Sequence, residues 1–262
     1  MENKELKRPS LEATIDKKIK RRTFISFASF FALSGLGLGA WKWLYNSPEE
    51  ISGITAGAHK PLRDALNTSE QVFKQVYSNT HLVKTYPKSM AATDVRVNGD
   101  IGLTDETFRV QDWQLEVEKE AGKLLTISME QLKKLPKTEI IYSFKCIEGW
   151  DQIQHWGGLR FSDFIQHFNL ESQSKKAYVG MQTPDEQYYV GIDRESALHP
   201  QTILAYEMNG HPIPVENGAP LRLIIPVKYG VKNLKRIGKI TFSDTRPRDF
   251  WAEQGYDYYS GL

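Results

Sequence analysis

Between Thr23 and Tyr45 the chain carries one charged side chain, Lys42, in an otherwise apolar run. About twenty such residues span a bilayer as a helix, the one local conformation in which a segment without water satisfies its own backbone hydrogen bonds. This run therefore divides the sequence. A basic flank of residues 1–22 precedes it, and everything that can build a packed core follows it. Trp41 and Trp43 read as interfacial anchors at its far end.

The flank ends in Lys20-Arg21-Arg22-Thr23-Phe24-Ile25. Paired arginines, a bulky apolar pair and then a Gly/Ala/Ser-containing apolar segment resemble a twin-arginine export signal, the route for proteins that fold around a cofactor before translocation. Membrane anchoring is the other reading of the same segment, and the two are compatible. Leu38 stands two residues before Ala40, so no Ala-x-Ala cleavage site follows, and the segment at 23–45 is expected to stay as a signal or anchor helix. The basic flank then stays cytoplasmic, and the rest faces the periplasm or cell surface.

Composition narrows the remainder. Hydrophobic residues make up 40% of 262, enough for an ordinary core. Thirty-four basic against 32 acidic side chains leave no field for a polyelectrolyte, which argues against nucleic acid as a partner. The single cysteine, Cys146, cannot form an internal disulfide, so packing and hydrogen bonds must hold the fold.

Residues 46–92 read as a tether followed by short helices. Asn46 to Pro61 is rich in Gly, Ser, Pro and Ala, whereas Leu62, Leu66, Val72, Phe73 and Val76 recur at three- and four-residue spacings. From residue 93 to 262 the pattern predicts one α+β domain with more strand than helix. Strands are expected at Val95–Val97, Trp113–Val117, Ile140–Phe144, Ala177–Met181, Tyr188–Ile192, Leu221–Pro226 and Arg236–Phe242. A capped turn of helix is expected from Ser128 towards Pro136, a turn at Gly157-Gly158, and an amphipathic helix carrying Phe161, Phe164, Ile165 and Phe168. No βαβ rhythm, Gly-x-Gly-x-x-Gly, P-loop or Gly-x-Ser-x-Gly is present, so nicotinamide, nucleotide and serine-hydrolase chemistry lack their signals.

The predicted strand Ile140–Phe144 delivers Cys146 at its C-terminal end, where open folds place reactive groups. A soft thiolate suits a redox transition metal. A structural zinc site would need several close Cys or His, and His155, His167, His199 and His211 do not cluster in sequence. A catalytic thiol would have only His155 nearby, and a lone cysteine without further context is ordinarily buried and inert.

The context is Tyr142-Ser-Phe-Lys-Cys146-Ile-Glu148-Gly-Trp150 followed by Trp156-Gly-Gly-Leu-Arg160-Phe. Further on come His199-Pro200, Asn217-Gly-Ala-Pro220-Leu-Arg222 and Lys228-Tyr229-Gly230-Val-Lys232. These motifs, in this order from about Val95 onward, resemble the sulfite-oxidase-like molybdopterin domain. The resemblance implies a mostly β, mixed-sheet fold and a molybdenum–molybdopterin cofactor ligated through Cys146. It also implies cofactor contacts by Asn79, Leu82, Val83, Thr183, Asn217, Arg222, Asn233, Leu234 and Lys235. Arg222 offers a fork and Lys235 a point charge to a phosphate, whereas Lys228, Lys232 and Arg236 read as a solvated basic strand end. The aromatic tail from Phe250 to Tyr259 reads as packing rather than a ligand cage.

Sulfite-oxidising members resemble a cysteine followed by Ala-Gly-Asn and arginine. Here Ile-Glu-Gly-Trp follows, and an acidic group two residues from the ligand disfavours an anionic substrate. The chain is more similar to the periplasmic branch that includes protein-methionine-sulfoxide reductase catalytic subunits. Glu148 is accordingly a candidate catalytic residue, through substrate contact or by orienting the ligand. The expected function is oxygen-atom transfer from a sulfoxide or similar small oxide. With no Cys-x-x-Cys-His in the chain, electrons are expected from a haem- or quinone-linked membrane partner, and export from the twin-arginine machinery. A sulfite dehydrogenase of the same fold and a non-catalytic exported binding protein stay open as alternatives.

Overall fold

A computed structural model describes residues 11–48, 59–76, 81–120 and 122–261. Helix α1 (Leu11–Tyr45) contains the apolar run and is long and apolar enough over Lys20–Tyr45 to cross a membrane. Its side chains Phe24, Phe30, Leu33 and Leu38 are exposed. Helix α2 (Lys60–Val76) is a single helix over the expected apolar spacing. Residues 49–58 of the expected tether lie outside the described residues.

The domain then runs through β1 (Leu115–Glu120), β2 (Lys123–Ile127), α3 (Met129–Leu132), β3 (Thr138–Lys145), β4 (Asp151–Arg160) and α4 (Phe161–His167). It continues with β5 (Tyr178–Gln182), β6 (Tyr189–Asp193), α5 (Arg194–Ala197), β7 (Ile203–Met208), β8 (His211–Pro212), β9 (Arg222–Ile224), β10 (Lys239–Ser243) and α6 (Phe250–Glu253). One five-stranded sheet has the order β2-β1-β10-β5-β6; in the other, β3-β4-β7-β8 run in order and β9 also pairs with β7. The β1–β10 pair is parallel and its neighbours are antiparallel, so the first sheet is mixed. The expected α+β, mixed-sheet architecture is therefore present.

Alternation explains which faces close the core. Leu115 and Val117 of β1 and Ile140, Tyr142 and Phe144 of β3 point inward at period two. Phe161, Phe164 and Ile165 of α4 bury one helical face. The cap before α3 is a reciprocal box: Ser128 Oγ accepts from Gln131 N at 3.3 Å, while Ser128 N donates to Gln131 Oε1 at 2.9 Å.

Two local expectations are corrected. Val95–Val97 forms no strand although Val95 is buried. The amide of Gln152 replaces a backbone ladder there, accepting from Arg96 N at 3.0 Å and donating to Asp94 O at 2.9 Å. Gly157-Gly158 is not a turn. It lies inside β4, where the pairing with β7 slips by one residue, and a Cβ on Gly158 would stand 2.1 Å from Leu204 O and 2.6 Å from Ala205 Cα. Glycine is needed because backbone approaches backbone. Gly158→Ala is expected to cost about 2–3 kcal/mol, lowering the midpoint of thermal unfolding by roughly 5–10 °C. An unchanged melting curve would contradict this close approach.

Candidate cofactor site

Cys146 immediately follows β3, in the hairpin that returns as β4. Its backbone N donates to Trp150 O at 2.9 Å and its carbonyl accepts from Gly149 N at 3.1 Å, closing a tight loop. Gly149 sits at φ +87°, a conformation glycine adopts without steric penalty. The Trp150 ring stacks on Phe144 with centroids 5.9 Å apart, and the Arg96 guanidinium lies 4.6 Å from its ring centre. Trp150 Nε1 donates to Glu148 Oε2 at 2.8 Å, holding the exposed carboxylate beside the cysteine loop. Burial raises the Cys146 thiol above its ordinary value, and the Glu148 carboxylate pushes it the same way. The thiolate is thus costly until a cation, such as a metal, meets it.

Cys146, Ile147 and Glu148 form one side of a cavity of about 120 Å³. Asn98 to Ile101 and the run containing Gly230, Val231, Asn233 and Lys235 form other sides, and Tyr188, Trp251 and Tyr256 complete the lining. Gly230 is required by its neighbours: a Cβ there would lie 2.8 Å from the Phe144 ring. Two larger clefts, of about 480 and 670 Å³, contain no cysteine.

Arg222 lies behind the cavity at 1% exposure. Its Nη1 donates to Asn217 O at 3.0 Å and its Nη2 to Asn98 Oδ1 at 3.2 Å, while the guanidinium packs 4.8 Å from the Trp156 ring centre. Burial lowers it to about 10. Lys235 Nζ donates to Gly99 O at 2.6 Å and to Glu216 O at 2.9 Å. Burial first, and the Arg222 charge second, lower it to about 7. Among the described residues neither cation has a carboxylate within 4 Å. By contrast Lys228 pairs with Asp193 at 2.7 Å and Lys232 with Asp249. Lys228, Lys232 and Arg236 are all buried, which corrects the solvated reading of that strand end. The two lysines instead pin the aromatic tail, Lys228 over the Tyr259 ring and Lys232 over that of Tyr258.

Buried cations answered only by carbonyls are incomplete, because desolvating a charge is costly without a counter-ion. The Nε of Arg222 and the Nδ2 of Asn217 are also buried without partners among the described residues. This donor set suits an anionic, phosphate-bearing group whose other end reaches a thiolate. A molybdopterin fits on those grounds.

The sequence candidates fall into groups. Cys146, Glu148, Asn233 and Lys235 line the cavity, with Arg222 and Asn217 directly behind it. Asn233 turns its Oδ1 to Ile225 N at 2.8 Å and its Nδ2 to Tyr229 O at 3.1 Å, fixing the backbone that carries Lys235. Leu234 is fully buried in the core. Thr183 lines the 480 Å³ cleft instead, its hydroxyl engaged by Asp185 and by Tyr188 N. Leu82 is exposed, Val83 is held by Gln201 through both backbone groups, and Asn79 lies outside the described residues. Asn98, Tyr188, Trp251 and Tyr256 were not read as site residues. The Asn98-Gly99 turn signal marked the first, but no local signal marks the others.

The tail reaches the cavity because Asp249 is held at several atoms, accepting from Gly191 N at 3.1 Å and Ala252 N at 3.0 Å as well as from Lys232. Phe250 meets Tyr188 edge-on at 5.4 Å. The tail packs as expected, and in packing supplies a wall of the site.

Residues 102–251 match the model of the oxidoreductase molybdopterin binding domain. The chain is 33% identical over 176 residues to the protein-methionine-sulfoxide reductase catalytic subunit MsrP of Campylobacter jejuni, covering 60% of this chain and 59% of that protein. It is 31% identical over 173 residues to the Xanthomonas campestris protein of the same name, covering 60% of this chain and 54% of that one. The chain thus matches less than two thirds of the length of these relatives. The sulfane dehydrogenase SoxCD of Paracoccus pantotrophus superposes with a TM-score of 0.48 at 16% identity, over 64% of this chain and 46% of that one. With its matched region spanning both the cysteine hairpin and the buried cations, the chain belongs to the oxidoreductase molybdopterin-binding-domain family.

Proposed function

We propose that the chain is an exported, membrane-anchored molybdopterin-dependent oxidoreductase that reduces a sulfoxide, such as an oxidised methionine side chain, to the sulfide. The observation that carries this reading is the grouping of the one cysteine with the buried Lys235 in the lining of a single cavity, and of the buried Arg222 bonded to Asn98 of the same lining. The bound cofactor supplies two-electron redox chemistry. Protein groups do the rest. The Cys146 thiolate ligates the metal, Arg222 and Lys235 hold the phosphate end with Asn217 and Asn233, and Trp251 and Tyr256 present an apolar wall to the substrate. Asn79, Leu82, Val83, Thr183 and Leu234 belong to this proposal as pterin-side positions. The balance is a sulfoxide plus two electrons and two protons giving a sulfide and water.

Glu148 favours a neutral substrate. It holds a carboxylate at the cavity beside the ligand, where a sulfite dianion would be repelled. Residues 1–22 are then cytoplasmic, 23–45 the anchor passed by the twin-arginine machinery, 46–92 the connection, and 93–262 the periplasmic domain. The relatives are named as catalytic subunits, which supports a further subunit; in this proposal that subunit is a membrane electron donor linked to haem or quinone.

One preparation of the loaded enzyme, assayed with methionine sulfoxide plus a reduced dye and with sulfite plus an oxidised dye, tests the choice. Sulfoxide turnover is expected to exceed sulfite turnover by at least ~100-fold, the effect of a few kcal/mol of like-charge repulsion. The reverse ranking would replace this reading with the sulfite dehydrogenase.

A further inference from the structure

Helix α2 meets its domain through charged side chains rather than through its leucines. Two of its charged residues face the domain, Arg63 and Glu70, each 4% exposed, while Asp64, Thr68 and Gln71 are exposed. Arg63 donates to Tyr256 O at 2.6 Å and to Ala252 O at 2.7 Å, and Arg246 ties to Asn67 at 2.9 Å and to Glu70. Its apolar residues face outward: Leu62 is 52% exposed, Leu66 37% and Val72 53%. Positions 62, 65, 66, 69 and 72 fall on one stripe about 120° wide, holding Leu, Ala, Leu, Ser and Val. A helix that is fastened to its domain by buried charges and leaves an apolar stripe uncovered among the described residues has a second environment to meet.

The placement of α2 identifies that environment. Residues 46–59 separate the end of α1 from the start of α2, and the residues on either side of 49–58 are joined directly. Lys60 N donates to Pro48 O at 2.8 Å, His59 Nδ1 and Ser47 O are 2.8 Å apart, and the Tyr45 and His59 rings lie 6.3 Å apart. The first turn of α2 is therefore fastened beside Trp41, Trp43 and Tyr45, the aromatic end of the apolar helix, where a spanning segment meets the headgroups. A helix starting at that depth with an exposed Leu/Val flank has the form of an interfacial helix.

We propose that α2 lies in the membrane–water interface with Leu62, Leu66 and Val72 in lipid, seating the domain on the bilayer through its polar inner face. This rests on the reading that α1 remains in the membrane. Through Arg63 the helix grips the carbonyls of Ala252 and Tyr256, whose segment supplies Trp251 and Tyr256 to the cavity. The cavity wall is then joined to the bilayer surface by two hydrogen bonds, and the site is held at a fixed height above the lipid.

The test uses the full loaded chain in phosphatidylethanolamine/phosphatidylglycerol vesicles and in the membranes of producing cells. The photoreactive residue p-benzoylphenylalanine is placed singly at 62, 66 or 72, at the polar positions 64 and 71, and at 33 within α1. After irradiation, lipid adducts are expected at 62, 66 and 72 at least about tenfold above 64 and 71, as for a helix buried to the acyl boundary. Adducts at 33 but none at 62, 66 and 72 overturn the proposal while leaving the anchor intact. No lipid adduct at 33 overturns the anchor reading itself, and the proposal with it. Adducts at 62, 66 and 72 to a second copy of the chain, or to another protein in cells, overturn lipid as the occupant. Because all six positions are exposed, retained dye-linked turnover shows that each variant is folded.

Discussion

Cys146→Ser is expected to leave a folded protein that holds almost no molybdenum and turns over neither sulfoxide nor sulfite. The hairpin does not depend on the sulfur, since Cys146 is fastened through its own backbone N and O to Trp150 and Gly149. The substitution is nearly isosteric, so the unfolding midpoint should move by no more than a few degrees. Ligation is different. A serine hydroxyl is a hard donor that stays protonated at neutral pH, whereas the metal needs a soft anionic sulfur. Partners that merely orient a ligand cost 10–100-fold when removed, so losing the ligand itself should cost more than about 100-fold in metal content and activity. Elemental analysis of protein made in a host that synthesises molybdopterin, alongside the dye-linked assay, measures both. Molybdenum and turnover that survive together would remove the enzyme reading and leave the binding protein.

Arg222→Met should separate stability from cofactor retention, with opposite signs. In the cofactor-free chain Arg222 is a buried charge answered by one carbonyl and one side-chain amide, packed between Phe144 and Trp156. Replacing such a charge by an apolar side chain of similar length is commonly neutral or stabilising by about 1–4 kcal/mol. The loss of two neutral acceptors' donors offsets about 1 kcal/mol each. The unfolding midpoint of the cofactor-free chain should thus stay level or rise. Pterin content should fall, because removing one side of a buried charge pair costs about 2–5 kcal/mol, roughly 30-fold or more. Thermal unfolding and the fluorescence of released, oxidised pterin read the two quantities. A variant that melts well below the parent while keeping its pterin would make Arg222 a packing residue and move the anion seat elsewhere.

What could be read from the sequence was local. The Ile140–Phe144 run ending at Cys146, the Ser128/Gln131 cap and the Phe161–Ile165 face each lie within a few residues, and each is present in the fold. Long-range pairing hid the rest. β7 went unread, and its role is set by β4, some forty residues earlier, and by β9. Gly157-Gly158 carried a turn signal because a one-residue slip against β7 also demands glycine, and no nearby residue distinguishes the two cases. Lys228 and Lys232 looked solvated because Asp193 and Asp249, which allow their burial, are distant in sequence. Trp251 and Tyr256 could be recognised as packing residues, but that this packing ends at the cysteine depends on where Asp249 fastens the tail. For α2 the period was visible and the direction was not. Only the carbonyls of Ala252 and Tyr256 explain why Arg63 turns inward.

The distribution of the cavity along the chain also sets a schedule. Synthesis runs from the N-terminus, so the apolar helix ending at Tyr45 emerges first and the thiol hairpin is complete soon after Trp150. The anion seat waits for Lys235, and the aromatic wall for Trp251 and Tyr256. A ribosome-bound chain therefore displays its apolar helix before the two sides of the cavity can meet, and contacts so far apart in sequence are the slow ones to form. If the helix is the export signal proposed above, the same order of residues means that it must stay unused until Trp251 and Tyr256 have closed the cavity.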